Sequence, residues 1–503
     1  AQQGFLLPLW TPEHPSGDYR RRRGGEDDMK KLRVNKYYAA LLSFLFLLAL
    51  IPLSGCMVGP DYKKPMADVP ETYRGSKKAE TEASSLGNEK WWEVFKDPVL
   101  QNLIRTAIEQ NYDVQIAASR ILQAQAQLGI TRADQFPTIS AGANVTNQRF
   151  SQSGPIPAFN VTQVEVGLSG AWTLDFWGQY RRATEAARAN ILSSEWARQE
   201  VISTLVSNVA AAYFQLREFD LELEISKRTL SSRQESLKLT SLLETRGFNS
   251  MLDVRQSEQL VYTASTQVPD LERRIAQQEN FISTLLGKNP GVIPRGLPLT
   301  EQPHAPEVPA GLPSPLLERR PDIRQSEANL VAANARIGVA KAAYFPQITL
   351  TGSAGFQSEE LSDLFSGPAG IWSVVGALTQ PIFEAGRISS GVKLTEAENE
   401  EMLLTYKRTI QNAFRDVSDS LIAYGKNREF RIEQEKLKDA AKDSARLSNL
   451  RFKSGETNYL EVLTNETNYF SAELGLAQAQ LNELLALVDV YRALGGGWEE
   501  HSS

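Results

Sequence analysis

From Tyr180 to Arg246 the chain contains neither glycine nor proline. As an α-helix rising 1.5 Å per residue, that run would extend to roughly 100 Å, too long for one small domain. Ile202, Val209, Leu216, Leu223, Leu230 and Leu237 recur along it at heptad spacing. After Gly247 a return stretch carries Val254, Val261, Val268, Ile275 and Ile282 at the same interval. Heptads sustained this long predict coiled-coil packing with a left-handed seam. Pro269 should kink the return helix. A second long helix is predicted over 387–454, with a less regular seam and Gly425 in its interior.

The second long helix belongs to a repeat. "LGITRADQFP" (128–137) matches "IGVAKAAYFP" (337–346) at an offset of 209. "TRGFNSMLDV" (245–254) matches "KSGETNYLEV" (453–462) at 208, pairing Gly247 with Gly455 as turn glycines. Leu286-Gly287 pairs with Leu494-Gly495 at the same offset. Self-similarity in one order means two halves on one plan. The Pro-rich stretch 288–315 between them reads as a linker.

Each half holds a helix running into Phe-Pro, where proline disfavours helix for the residue before it. Two alternating stretches follow. In "VEVGLSGAWTL" (164–174), Val164, Val166, Leu168, Trp172 and Leu174 share one face, with Glu165, Ser169 and Thr173 on the other. "QITLTGSAGF" (347–356) sets Ile348, Leu350, Ala354 and Phe356 against Thr349, Thr351 and Ser353. Period two with one apolar face is a half-buried strand, and this length fits a transmembrane β-strand. Strands are expected at about 138–150, 161–175, 347–357 and 371–383, joined by breaker-rich loops at 151–160 and 358–370.

Four strands cannot close a barrel, yet open strand edges are not tolerated in lipid. The smallest membrane barrels need eight strands, so a chain with four membrane strands must oligomerise. Two copies leave little lumen, whereas three give a modest channel. The long helices cannot lie within a membrane about 30 Å thick and must project from it.

Composition removes other classes. With 42% hydrophobic and 23% charged residues the chain is a folded protein. Its net charge of −6 gives no basis for nucleic-acid binding. Three scattered histidines (His14, His304, His501) and one cysteine exclude a disulfide framework and lack metal-ligand spacing. No nucleophile–base set or phosphate loop is present, so no enzyme is expected. Met29 opens "MKKLRVNKYYAALLSFLFLLALIPLSGC", a basic stretch followed by the apolar run Ala39 to Ile51. That run is too short to span a bilayer comfortably and reads as a secretory signal, with Met29 the expected translation start. Leu53-Ser54-Gly55-Cys56 ends it in the manner of a bacterial lipobox, so Cys56 is expected to carry a lipid. Met57, rather than aspartate, implies outer-membrane sorting. Two or more acyl chains, at roughly 0.8 kcal/mol per buried CH2, make a stable anchor.

"GCMVGPDYKKP", "WWEVFKDPVLQNLIRTAIEQNYDVQIAASRI" (91–121), "LLERRPDIRQSEANLVAANARIGVAKAAYFPQITLTGSAGF" (316–356), "PIFEAGR" (381–387) and "YRALGGGW" (491–498) resemble the TolC-type outer-membrane efflux proteins. The lipoprotein branch serving resistance-nodulation-division pumps is the nearest match, over Cys56 to about Trp498. The resemblance implies an α+β membrane protein. It would be a homotrimer, with a twelve-stranded transmembrane β-barrel (four strands per chain) continuous with a twelve-helix periplasmic α-helical barrel. It also implies an exit duct, taking substrates from an inner-membrane pump through a periplasmic adaptor protein. No cofactor is implied beyond the lipid on Cys56. The expected organisation is an upstream extension at 1–28, a signal at 29–55 and a lipid-anchored equatorial segment at 56–110. A first repeat at 111–287, a linker at 288–320, a second repeat at 321–495 and a tail at 496–503 complete it.

By motif match the closing tip of the duct falls at 246–258 and 454–466. The resemblance puts Leu460 at a constricting leucine ring, with Tyr459 beside it, Asp253 and Glu461 at acidic tip positions, and Arg255 as their partner. Thr464 and Thr467 depart from the branch, where an acid and a base are common, which implies a differently wired latch. Ser250 with Asp253, and Asn458 with Glu461, also fit helix N-caps with an acid at N3. Phe136, Phe176, Trp177, Phe345 and Phe383 are expected as interfacial anchors, as are Arg181 and Arg182. Two other readings remain: a non-conducting coiled-coil lipoprotein, and the exit duct of a type I secretion system. Radiolabelled palmitate should enter the mature protein and fail to enter Cys56→Ser; label in that variant would refute the lipid assignment.

Overall fold

The computed structural model describes residues 57–74, 85–86, 89–151, 158–303 and 313–497. The chain divides into Ala1–Cys56 and Met57–Ser503, and every described residue belongs to the second unit. The signal, Cys56, the three histidines and the tail from Trp498 lie outside the described residues.

Helices dominate. Short α1 (Trp91–Val94) precedes α2 (Pro98–Gln110) and α3 (Tyr112–Ala133). Strands β1 (Thr138–Phe150) and β2 (Phe159–Leu174) lead into α4 (Gln179–Thr245) and α5 (Met251–Leu285). After the linker come α6 (Leu316–Arg319), α7 (Pro321–Ala342), β3 (Gln347–Ser358) and β4 (Gly370–Thr379). Helices α8 (Arg387–Lys453) and α9 (Tyr459–Ala493) finish the order. Helix lengths match between halves: 22 residues in α3 and α7, 67 in α4 and α8, 35 in α5 and α9.

Local chemistry sets these boundaries. Asp97 caps α2 by accepting from Val99 N and Leu100 N, with Pro98 at the first helical position. Both long helices end at a glycine in the left-handed region, Gly247 and Gly455 at φ 77°. In each, the glycine amide bonds the carbonyl three residues back and the next amide bonds five back. This paired closure satisfies carbonyls that a helix end otherwise orphans. Helices α3 and α7 stop three residues short of their Phe-Pro pairs, in a tightened turn. Helix α5 continues through Pro269.

The four strands form one antiparallel sheet in the order β1-β2-β3-β4. The halves meet at β2–β3, where Gly167 lies opposite Gly355. A Cβ on Gly355 would come within 2.3 Å of the Val166 carbonyl oxygen, so only glycine permits that approach. Strand β4 ends at Thr379 rather than the expected 383, because Pro381 has no amide for the ladder.

The largest core sits at mid-height of the long helices. Ile202, Val209, Tyr213 and Leu216 of α4 pack with Tyr406 and Val417 of α8 and Leu484 and Tyr491 of α9. The amino-terminal and linker segments close over it through Trp91, Phe95, Ile293 and Leu299. Asp97 ties this girdle together. It is fully buried and accepts from Tyr213 Oη (2.9 Å), Leu297 N (2.8 Å) and Gln302 Nε2 (3.1 Å), besides its capping bonds. Burial alone would raise its pKa, but bonds from Gln302, Tyr213, Val99 and Leu297 outweigh that and hold it below the usual carboxylate range. Replacing Asp97 with alanine strands several buried donors and should cost about 3 kcal/mol. Because the folded pKa is depressed, this stabilisation is present above about pH 4 and fades as acid protonates the folded carboxylate. Melting temperatures of wild type and Asp97→Ala between pH 3 and 7 should therefore converge only at the acid end.

Candidate functional site

The sheet has two unlike faces. Across the register, Ala141, Leu168, Ala354 and Trp372 share one face, as do Ala143, Val166 and Phe356. On the other face Ser140, Ser169, Ser353 and Ser373 form an unbroken row over all four strands. Their hydroxyls bond in pairs at 2.8 Å, Ser140 to Ser169 and Ser353 to Ser373. Strands β1 and β4 each have a neighbour on one side alone. One face suits hydrocarbon and the other water, and two strand edges await partners.

Where sheet passes into helix, Trp177 stacks on Phe345 with ring centroids 4.7 Å apart, and its Nε1 donates to Pro346 O. Phe136 and Phe383 are exposed at this level, and Phe176 is half-buried. The structure corrects one expectation here. Arg182 is not a surface anchor but is 3% exposed, paired with Asp61 at 2.7 Å and Glu185 at 2.8 Å. Arg181 pairs with Asp175. The arm carrying Asp61 is seated alongside: Val58 N donates to Trp177 O, and Met57 packs on Gly178. The arm then follows α7, with Asn334 donating to Pro60 O, Tyr62 to Glu327, and Lys64 bridging to Glu318.

At the far end, α4–α5 and α8–α9 turn at Gly247 and Gly455. Ser250 caps α5 through its Oγ, and Asp253 returns a carboxylate oxygen to Ser250 N at 3.0 Å, a reciprocal capping box. Arg255 does not partner the tip acids; it pairs with Glu258 one turn along, at 2.7 Å. Asn458 caps α9, but Glu461 does not fold back on it. Its carboxylate takes Arg451 at 2.9 Å and the Thr457 hydroxyl instead. Tyr459 is buried against Phe452, Val462 and Leu463, so it packs inward, whereas Leu460 is 56% exposed. Thr464 and Thr467 return their hydroxyls to carbonyls one turn back. The tip thus brings Glu461 together with Arg451, a residue the sequence reading did not single out.

Sequence reasoning also missed a buried carboxylate in the helical wall. Glu218 of α4 is fully buried and accepts from Gln215 Nε2 at 2.8 Å. Desolvation, then the neighbouring Glu222, push its pKa up to about 8 despite Arg274. Arg274 lies 4.0 Å over the Phe219 ring and pairs with Glu222. Among the described residues no helix is long and apolar enough to cross a membrane, and no cluster of His, Cys, Asp and Glu could hold a metal.

An open amphipathic sheet feeding helices of about 100 Å is the protomer of an outer-membrane channel. The outer membrane efflux protein profile matches residues 103–288 and 312–496, and the chain belongs to that family. The solvent efflux pump outer membrane protein SrpC of Pseudomonas putida is 38% identical, covering 90% of this chain and 97% of its own length. The cation efflux system protein CusC of Escherichia coli is 32% identical, covering 92% and 99%. The solved outer-membrane channel OprN superposes with a TM-score of 0.82 at 30% identity, covering 88% of this chain and all of that one. The protein is an outer-membrane exit duct of a tripartite efflux pump.

In such a duct wall Glu218 is a pH-dependent burden. Its folded pKa lies above its unfolded one, so stability falls as pH rises from about 4.5 toward 8 and then levels. Glu218→Gln should remove that decline, melting higher than wild type at pH 8 and matching it near pH 4.5.

Proposed function

We propose that three copies of this chain assemble into one duct: a twelve-stranded barrel in the outer membrane over a twelve-helix tunnel in the periplasm. The observation that carries this is the four-stranded sheet with an apolar face and two unpaired edges. Unsatisfied backbone amides and carbonyls cost several kcal/mol each in hydrocarbon, so copies must pair edge to edge. Equal helix lengths in the two halves support a repeat in which each half supplies one hairpin to the tunnel.

Cys56 bears the covalent lipid. Met57, the next residue, packs beside Gly178 at the level where sheet becomes helix, which supports an anchor at this end of the helices. The far turns close the duct at rest, with Leu460 exposed in the first turn of α9 and Asp253 and Glu461 at their helix starts. A periplasmic adaptor meets that end and an inner-membrane pump of the resistance-nodulation-division type supplies the work. Relatives named for solvents and for cations match this chain at 38% and 32% identity, so cargo choice belongs to the pump.

Light scattering on purified protein should give a trimer, and planar bilayers should show unitary conductance. The double change Asp253→Ala with Glu461→Ala should raise that conductance. Unchanged conductance in a folded trimer would leave these acids as caps alone, and a non-conducting monomer would overturn the channel itself.

A further inference from the structure

The two sheet faces differ in charge as well as polarity. Among strand residues of the serine-bearing face, Glu165 alone is ionisable. The opposite face holds one charge, Arg149, in register with Asn160 beside the first hairpin loop. Neutral amides flank Glu165 across the ladder, Asn144 on β1 and Gln357 on β3. The next row toward the helices holds Gly142, Gly167 and Gly355, which present no side chain on that face, and ends in Ile371 on β4. The three glycines leave a cavity of about 210 Å³ against Glu165, bounded below by Ser169 and Ser353 and at one side by Ile371. Glu165 has no hydrogen-bond or ion-pair partner among the described residues.

We infer that Glu165 makes the outer part of the duct selective for cations, as a carboxylate ring contributed one per chain. This rests on the trimeric channel reading above. Twelve strands spaced about 4.8 Å and tilted about 40° give a backbone radius of roughly 12 Å. Inward side chains reduce the clear radius to roughly half of that. The Debye length is about 10 Å at 0.1 M salt and about 3 Å at 1 M. The ring's field therefore spans the lumen at physiological salt and collapses against the wall at high salt. Three carboxylates this far apart do not chelate an ion; they bias the permeant population. A bulky multivalent cation arriving from the loop side meets this ring before it meets the tip acids.

The test uses the full-length trimer in planar bilayers, with hexaamminecobalt(III) added to the loop-side compartment. At 0.1 M KCl the wild type should be blocked, and 1 M KCl should abolish the block. Glu165→Gln should weaken the block at least tenfold and lower the potassium-over-chloride permeability ratio, while Glu165→Asp retains both. Should the glutamine variant not assemble, Glu165→Thr, a strand-forming neutral residue, should give the same loss. Equal block in wild type and either neutral variant overturns the inference. Absence of any unitary conductance in wild type instead overturns the channel reading on which it stands.

Discussion

Backbone groups along β1 and β4 have nothing to bond to within one chain. In water that would be a modest exposure, answered by charge or a bulge. In hydrocarbon it is prohibitive, and much of the molecule can be read as a response to it. The apolar face and the serine row behind it suit a wall with hydrocarbon on one side and water on the other, and only glycine permits the close Gly167–Gly355 approach within it. At β2–β3 the two halves of one chain pair strand to strand, which is what the open edges of β1 and β4 require of a partner.

Below the membrane the problem is the reverse. Helices of 67 residues have far more length than one seam can hold in place, and the girdle at mid-height supplies the missing constraint. Asp97 fixes the linker there by accepting hydrogen bonds from α2, α4 and the linker at once. Farther down, Leu260 of the first hairpin packs on Tyr459, Val462 and Leu463 of the second. Arg228 reaches Glu473, and Arg233 lies over the Phe470 ring.

What the sequence disclosed was whatever depends on local geometry. A glycine-free, proline-free run with heptads announces a long helix, and Gly247 and Gly455 announce its end because a left-handed residue is needed there. Alternation exposed the strands for the same reason: the period belongs to the backbone. What stayed hidden depends on partners distant in sequence. Nothing around Asp97 foretells Leu297 or Gln302, about two hundred residues on. Glu218 looks like any helix-surface acid until α5 is placed against it. Arg255 and Arg451 are equally plausible partners for a tip acid on paper. Rotamer reach gives one to Glu258 and the other to Glu461.

The arm from Met57 to Lys64 touches the first half at Trp177 and the second half along α7, where Tyr62 meets Glu327 across 265 residues of chain. Synthesis and export deliver this arm well before its resting place. Its seat cannot exist until α7 has emerged and folded. This arm therefore settles only after α7 has, and its docking joins the two halves.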